Sequence, residues 1–284
     1  MNRRIFALLA AALLVLSVSG CTEKAAVQAQ TDLLATTQPV YQLANALTDG
    51  TGLTVSLLIS EPVSCLHDYT LTVSQMEKIE NAKLVLESGL GLEDFMADAL
   101  SGKVRIVVSS TLPTLEGDEG IDPHWWLDPT RFRAAAKLTA QELGSQYPEF
   151  TDQIAENFAA FDEKLEALQS YGDEALKNLS CRELVTFHDG FSYFADSFGL
   201  TIAAAMEVES GSEPSAKELE AIISIVNDHK IPAVFTETNG ETGSAQVVAN
   251  ETGCKVYTLD MAISNADYFA AMRENINTIK EALG

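Results

Sequence analysis

The sequence predicts an α/β fold of two lobes, each a parallel sheet flanked by helices, joined by one long connecting helix. Three observations carry this. Short apolar runs of strand length alternate with helical patterns along the body of the chain, the order of an α/β protein. Those runs are continuous rather than alternating, as expected of strands buried on both faces. Midway, Phe150, Ile154, Phe158, Phe161, Leu165 and Leu168 recur at intervals of 4, 4, 3, 4 and 3, one apolar stripe on an amphipathic helix that separates two similar α/β stretches.

The first 20 residues stand apart from the fold. Arg3 and Arg4 precede an apolar run from Ile5 to Val18, which gives way to small residues, the order of a secretory signal. The run is too short for a membrane span. It closes Leu16-Ser17-Val18-Ser19-Gly20-Cys21, which resembles a bacterial lipoprotein box, where the cysteine is lipidated and becomes the mature N-terminus. An ordinary signal peptide with an incidental cysteine is the alternative. Residues 21–31 are polar and small and suit a tether. Of the 284 residues, 264 remain after the signal, near the size at which one hydrophobic core gives way to two.

The first lobe is assigned to residues 32–148. Leu33–Thr37 and Leu53–Ile59 are strand candidates, and Pro39–Leu47 between them has helical spacing. Ser74 and Glu77 form a Ser-x-x-Glu capping box that opens a short helix. Leu84–Leu86 and Val104–Val108 are further strands, and Thr130–Gln146 is a helix. The connecting helix is assigned to 149–180. It runs past Gly172 toward Leu179, although glycine costs about 1 kcal/mol against alanine in a helix. A surface helix of a single domain is the alternative reading. The second lobe, 181–284, repeats the alternation: strands at Glu183–Phe187, Leu200–Ala205, Ala233–Glu237 and Val256–Leu259. Its helices open at the Ser215/Glu218 capping box, span Thr242–Asn250, and close the chain at Tyr268–Leu283.

With 41 acidic and 18 basic residues the formal net charge is −23, and losing Arg3 and Arg4 with the signal brings it to −25. Such a surface repels nucleic acid and anionic ligands and attracts cations. Cys65, Cys181 and Cys254 contain no Cys-x-x-Cys pair, which excludes a local zinc knuckle. Export permits a disulfide. Cys181 and Cys254 each precede a predicted strand and are the candidate pair.

The four histidines divide by position. His67, His124 and His188 each lie on the carboxyl side of a predicted strand, the edge where open α/β sheets bind ligands. His229 enters a strand from the opposite end and is expected to be an ordinary surface residue. His124 is set in Asp122-Pro123-His124-Trp125-Trp126-Leu127-Asp128-Pro129. Asp122 before proline is driven to extended or turn geometry, while Asp128-Pro129 reads as a capped helix start. Asp260 follows Tyr257-Thr258-Leu259 and also lies at a strand's carboxyl end. Three imidazoles and a carboxylate are a reasonable donor set for zinc and an acceptable one for manganese. They can meet only if both lobes face one cleft, His67 and His124 from the first, His188 and Asp260 from the second. Three unrelated histidines at loop starts is the alternative from spacing alone. Glu237, also at a strand end, is a candidate for supporting such a site from behind the ligands.

These motifs together resemble the solute-binding lipoproteins of bacterial zinc and manganese ABC importers, over about Leu33 to Leu283. The most specific stretch is Asp122–Pro129. Ala35-Thr36-Thr37-Gln38-Pro39-Val40-Tyr41, Leu90-Gly91-Leu92-Glu93, His188–Phe194 and Glu213–Leu219 also match. The resemblance implies His67, His124, His188 and Asp260 as metal ligands, and a histidine at the third place resembles the zinc-associated pattern. The chain departs from the family in three places. His67 is followed by Asp68–Gln75 without the usual prolines, Thr111–Ile121 is acidic rather than histidine-rich, and Met261 replaces a proline after Asp260.

The expected function is a non-catalytic extracytoplasmic receptor, anchored to the membrane through lipid on Cys21. As a monomer it carries Zn2+, or alternatively Mn2+, to an ABC permease. A zinc-dependent hydrolase in which Asp260 is not a ligand, and a binding protein for a chelated metal, are the rival readings.

Overall fold

The computed structural model describes residues 30–61, 69–117, 120–206, 214–238, 240, 242–263 and 267–284. The signal segment, Cys21, Cys65 and His67 lie outside these. The first half runs β1 (Thr31–Ala35), α1 (Gln38–Thr48), β2 (Val55–Leu57), α2 (Val73–Asn81), β3 (Ala82–Glu87), a short 3-10 turn into α3 (Ala97–Leu100), and β4 (Arg105–Val107). Its four strands are all parallel, in the order β2-β1-β3-β4. A small antiparallel hairpin, β5 (Glu116–Gly117) and β6 (Gly120–Ile121), then leads through a 3-10 turn at Trp125–Leu127 into α4 (Pro129–Gln146) and α5 (Thr151–Ala175). The second half comprises β7 (Glu183–Thr186), α6 (Ser192–Ser197), β8 (Thr201–Ala205), α7 (Ala216–His229), β9 (Ala233–Glu237), α8 (Gly243–Thr252), β10 (Lys255–Leu259) and α9 (Tyr268–Leu283). Its parallel sheet has the order β10-β9-β7-β8. Among the described residues no helix is long and apolar enough to cross a membrane.

Most of the elements follow from local chemistry. Asp128 caps α4 as its sequence position predicts, its Oδ1 accepting from the amides of Thr130 (2.7 Å) and Arg131 (3.2 Å), with Pro129 in the first turn. Ser215 and Glu218 form the expected capping box of α7. Helix α5 buries Ile154, Phe161, Leu165 and Leu168, four of the six residues of the predicted stripe, and packs against both α4 and α9.

Five expectations are corrected. The capping box of α2 is Thr72 with Gln75, not Ser74 with Glu77. Thr72 is extended and its hydroxyl accepts from the Gln75 amide, so the helix starts two residues earlier. Strand β1 begins at Thr31 rather than Leu33, because the Thr31 hydroxyl is bonded to Ser56 Oγ (3.1 Å) and Thr54 O (3.3 Å) across the sheet. Helix α5 ends at Ala175, short of Leu179. The Leu176 carbonyl is taken by Arg182 Nη1 (2.9 Å) instead of by a further helical amide. Cys181 and Cys254 are free thiols. They enter β7 and β10, which have β9 between them. Two strand spacings of about 4.8 Å put their backbones beyond the roughly 7 Å that a disulfide spans. Finally, the short helix α6 and the hairpin β5–β6 carry no clear periodicity and are absent from the sequence prediction.

The main core is continuous across both halves, joining Leu33, Val85 and Trp125 to Phe161, Phe191, Leu259 and Ile276. A second cluster, including Val185, Val226, Val234 and Val248, fills the far side of the second sheet. Helix α9 reaches back to the first half: the Tyr268 amide donates to Gln42 Oε1 (2.8 Å), and its ring packs edge-on against Phe132 at 4.8 Å.

Candidate metal centre

His124 sits where the chain passes from the hairpin into α4, and Asp122 holds it there. Asp122 Oδ1 accepts from the His124 amide (2.8 Å) and lies 2.7 Å from its Nδ1. A carboxylate only accepts, so Nδ1 carries the proton and the lone pair is on Nε2. The histidine is nine-tenths buried. Its ring stands edge-on to Trp126 at 5.4 Å. Trp125 and Trp126 are fully buried, and each is anchored at Nε1. Trp125 donates to Ser88, below the first sheet's edge, and Trp126 donates to Met261 O (2.8 Å) in the second half. The tryptophan pair therefore does two jobs: both rings pack the core, and Trp126 ties the first half to the second.

His188 approaches from the opposite side. Beyond β7 the pairing continues for one residue, Phe187 N to Phe235 O (2.8 Å), and His188 is the next residue out. It too is nine-tenths buried. Gly190 lets the ring fold back. A Cβ there would lie 2.7 Å from His188 Cδ2 and 2.5 Å from Met261 Cε, which also shows that the His188 and Met261 segments converge. The two imidazoles face each other with ring centres 5.3 Å apart and planes at 78°.

Asp260 leaves the carboxyl end of β10 and is held by the backbone. Its amide donates to Asn275 Oδ1 (2.8 Å), its carbonyl accepts from Asn275 Nδ2 (2.7 Å), and its Oδ1 accepts from the Ala262 amide (2.7 Å). Asn275 is a buried polar residue on the apolar face of α9, between Met272 and Ile276. A polar side chain on an otherwise apolar helix face is the sequence signal for this clamp. The grip of Asp122 on the His124 ring lies beyond what the backbone restriction before Pro123 implies. Glu237, at the end of β9, is buried. Desolvation pushes its carboxyl up to about 7, with nearby His124 drawing it down and Asp260 raising it.

Of the four predicted ligands, His124 and His188 come together, Asp260 stands at the same sheet edge as His188, and His67 lies outside the described residues. Among the described residues no three His, Cys, Asp or Glu side chains form a ready-made metal group. His229 is at the other end of the second sheet. It pairs through Nδ1 with Glu183 Oε1 (2.8 Å), the first residue of β7, and its side chain is about half exposed.

Residues 33–282 match the family described as zinc-uptake complex component A, periplasmic. The high-affinity zinc uptake system protein ZnuA of Haemophilus ducreyi is 29% identical, the match covering 82% of this chain and 85% of that protein. The zinc-binding lipoprotein AdcA of Streptococcus pneumoniae is 27% identical over 96% of this chain, which spans 60% of the length of that relative. A crystal structure of a ZnuA 138–173 deletion mutant with zinc bound superimposes with a TM-score of 0.79 at 30% identity, covering 89% of this chain and 98% of that one.

Proposed function

The chain belongs to the zinc-uptake complex component A family, and on that premise we propose that it is an extracytoplasmic receptor. It takes up a divalent transition-metal ion, zinc before manganese, and hands it to an ABC permease without any catalytic step. The ligands in this reading are His67, His124, His188 and Asp260, two from each lobe. The lobes are residues 32–148 and 181–284, with 149–180 connecting them. Lipid on Cys21 holds the monomeric receptor to the membrane.

One observation supports the metal assignment above the others, the spacing of the two imidazoles. With metal–nitrogen bonds of about 2.0–2.1 Å, a ring centre stands about 3.2 Å from the ion, and a tetrahedral angle then sets two ring centres about 5.2 Å apart. His124 and His188 stand at 5.3 Å. Edge-on aromatic pairs with no shared ligand span about 4.5–7 Å, so the spacing is one that a shared ion permits, here between two rings that are both nine-tenths buried. The Asp122 bond adds a second reason, because it leaves the lone pair on His124 Nε2 for a metal.

The test is a competition titration of zinc against a chromophoric chelator. His188→Ala is expected to lower zinc affinity by about 100-fold or more, since a ligand matters more than the 10- to 100-fold attached to its supporting contacts. His229→Ala is expected to leave it unchanged. Equal affinities for wild type and His188→Ala reject the site. Repeating the titration with manganese decides the order of the two ions.

A further inference from the structure

The second sheet brings a third chemically active side chain to the edge that carries His188 and Asp260. Strand β9 lies between β7 and β10. In the parallel register Glu237 is paired with Leu259, so it stands level with the residue before Asp260. On the other side Phe235 receives the Phe187 amide, and His188 follows. The middle strand of the three therefore ends in Glu237, with the two proposed ligands emerging on either side.

Its surroundings make this carboxylate part of the site. Glu237 is only 6% exposed. Among the described residues, the titratable groups near enough to act on it are His124, from the opposite half, and Asp260. The turn that follows is built around it. Gly240 N donates to Glu237 O (3.1 Å), and a Cβ on Gly240 would lie 2.5 Å from Glu237 Cγ, so the turn has no side chain where the glutamate lies. Burying a carboxylate without a cation is costly, and such groups gather at functional sites. An arriving divalent ion is the compensating charge. A divalent ion brings two positive charges into a buried setting, and each carboxylate near it, Asp260, Asp122 behind the His124 ring and Glu237, offsets part of them.

We propose that Glu237 supplies a further negative charge to the metal pocket, so that the ion received by His124 and His188 is balanced by Glu237 as well as by Asp260 and by Asp122 behind the His124 ring. The inference rests on the metal-receptor reading above. It is tested with Glu237→Gln, which keeps shape and removes charge. Two measurements are made: zinc affinity by chelator competition at neutral pH, and urea stability of the metal-free protein. The expected result is an affinity about 10- to 100-fold weaker, with metal-free stability equal to or above wild type, because a buried charge has gone. Glu237→Asp is expected to recover part of the affinity. An affinity of Glu237→Gln equal to wild type overturns the proposal. So does a loss of affinity accompanied by lower metal-free stability, which marks a structural residue. His188→Ala measured in parallel separates the two claims: if it too keeps full affinity, the metal site itself fails, and if it loses affinity while Glu237→Gln does not, only the role of Glu237 fails.

Discussion

At the scale of single residues, the site is made by side chains that orient other side chains. Asp122 selects the tautomer of His124, and Asn275 clamps both backbone groups of Asp260. Asp122→Asn keeps an acceptor but removes the charge that makes the ring a better donor to metal. We expect zinc affinity to fall by about 10- to 100-fold with the fold unchanged, read by the same chelator competition. Glu93 shows the same logic away from the metal. Its oxygens accept from the Thr36 hydroxyl (2.7 Å) and the amides of Ser88 (2.7 Å) and Gly89 (2.9 Å), which ties the loop after β3 together. Burial nevertheless raises its carboxyl from 4.5 to about 7. The folded state then holds a proton that the unfolded chain has already released, so stability falls as pH rises from about 4.5 to 7. The full loss is about 3 kcal/mol above that window. Urea midpoints followed across the window are expected to show a shallower decline in Glu93→Gln than in wild type. An identical decline rejects Glu93 as a source.

At the scale of elements, packing overrides propensity in α5. On helix propensity alone Gly172→Ala gains about 1 kcal/mol. Here the added Cβ would stand 2.2 Å from Phe198 Cε1 and 2.7 Å from Cζ, and Phe198 is itself buried and packed edge-on against Phe194. Overpacking of this kind costs about 1–3 kcal/mol, so the variant is expected to unfold at lower urea. A midpoint above wild type would mean that Phe198 can move aside. The same element shows how far periodicity could be read. The stripe from Ile154 to Leu168 was legible because each residue faces one side of a helix. The stop at Ala175 was not, because it depends on Arg182, which reaches the Leu176 carbonyl only once the chain has turned back.

At the scale of the whole molecule, the two halves are bolted together at the site. Trp126 walls His124, donates to Met261 O and accepts from the Tyr268 hydroxyl (2.8 Å) through its own carbonyl. Trp126→Phe strands a buried carbonyl and is expected to lower stability by about 1–3 kcal/mol. Zinc affinity should fall with it, because the ligand-bearing segments of the two halves lose their shared contact. Calorimetry with and without zinc measures both. Loss of stability with unchanged affinity would restrict Trp126 to packing.

Local pattern and residue chemistry determined much of this protein. Continuous apolar runs announced two buried parallel sheets, proline and aspartate announced the start of α4, and strand-end position separated His124 and His188 from His229. These features depend on residues near one another in the chain, and their physics is local. The tertiary structure decided what depends on distance through space. It set the order β10-β9-β7-β8, which parts Cys181 from Cys254 and puts Glu237 between the His188 and Asp260 strands. It turned Trp126 from a core residue into a bridge across 135 positions of sequence. It also brought two imidazoles, 64 residues apart, into edge-on contact with ring centres 5.3 Å apart. No periodicity encodes such meetings. They arise because burying two apolar sheets and one long helix leaves a single arrangement in which the polar strand ends face one another.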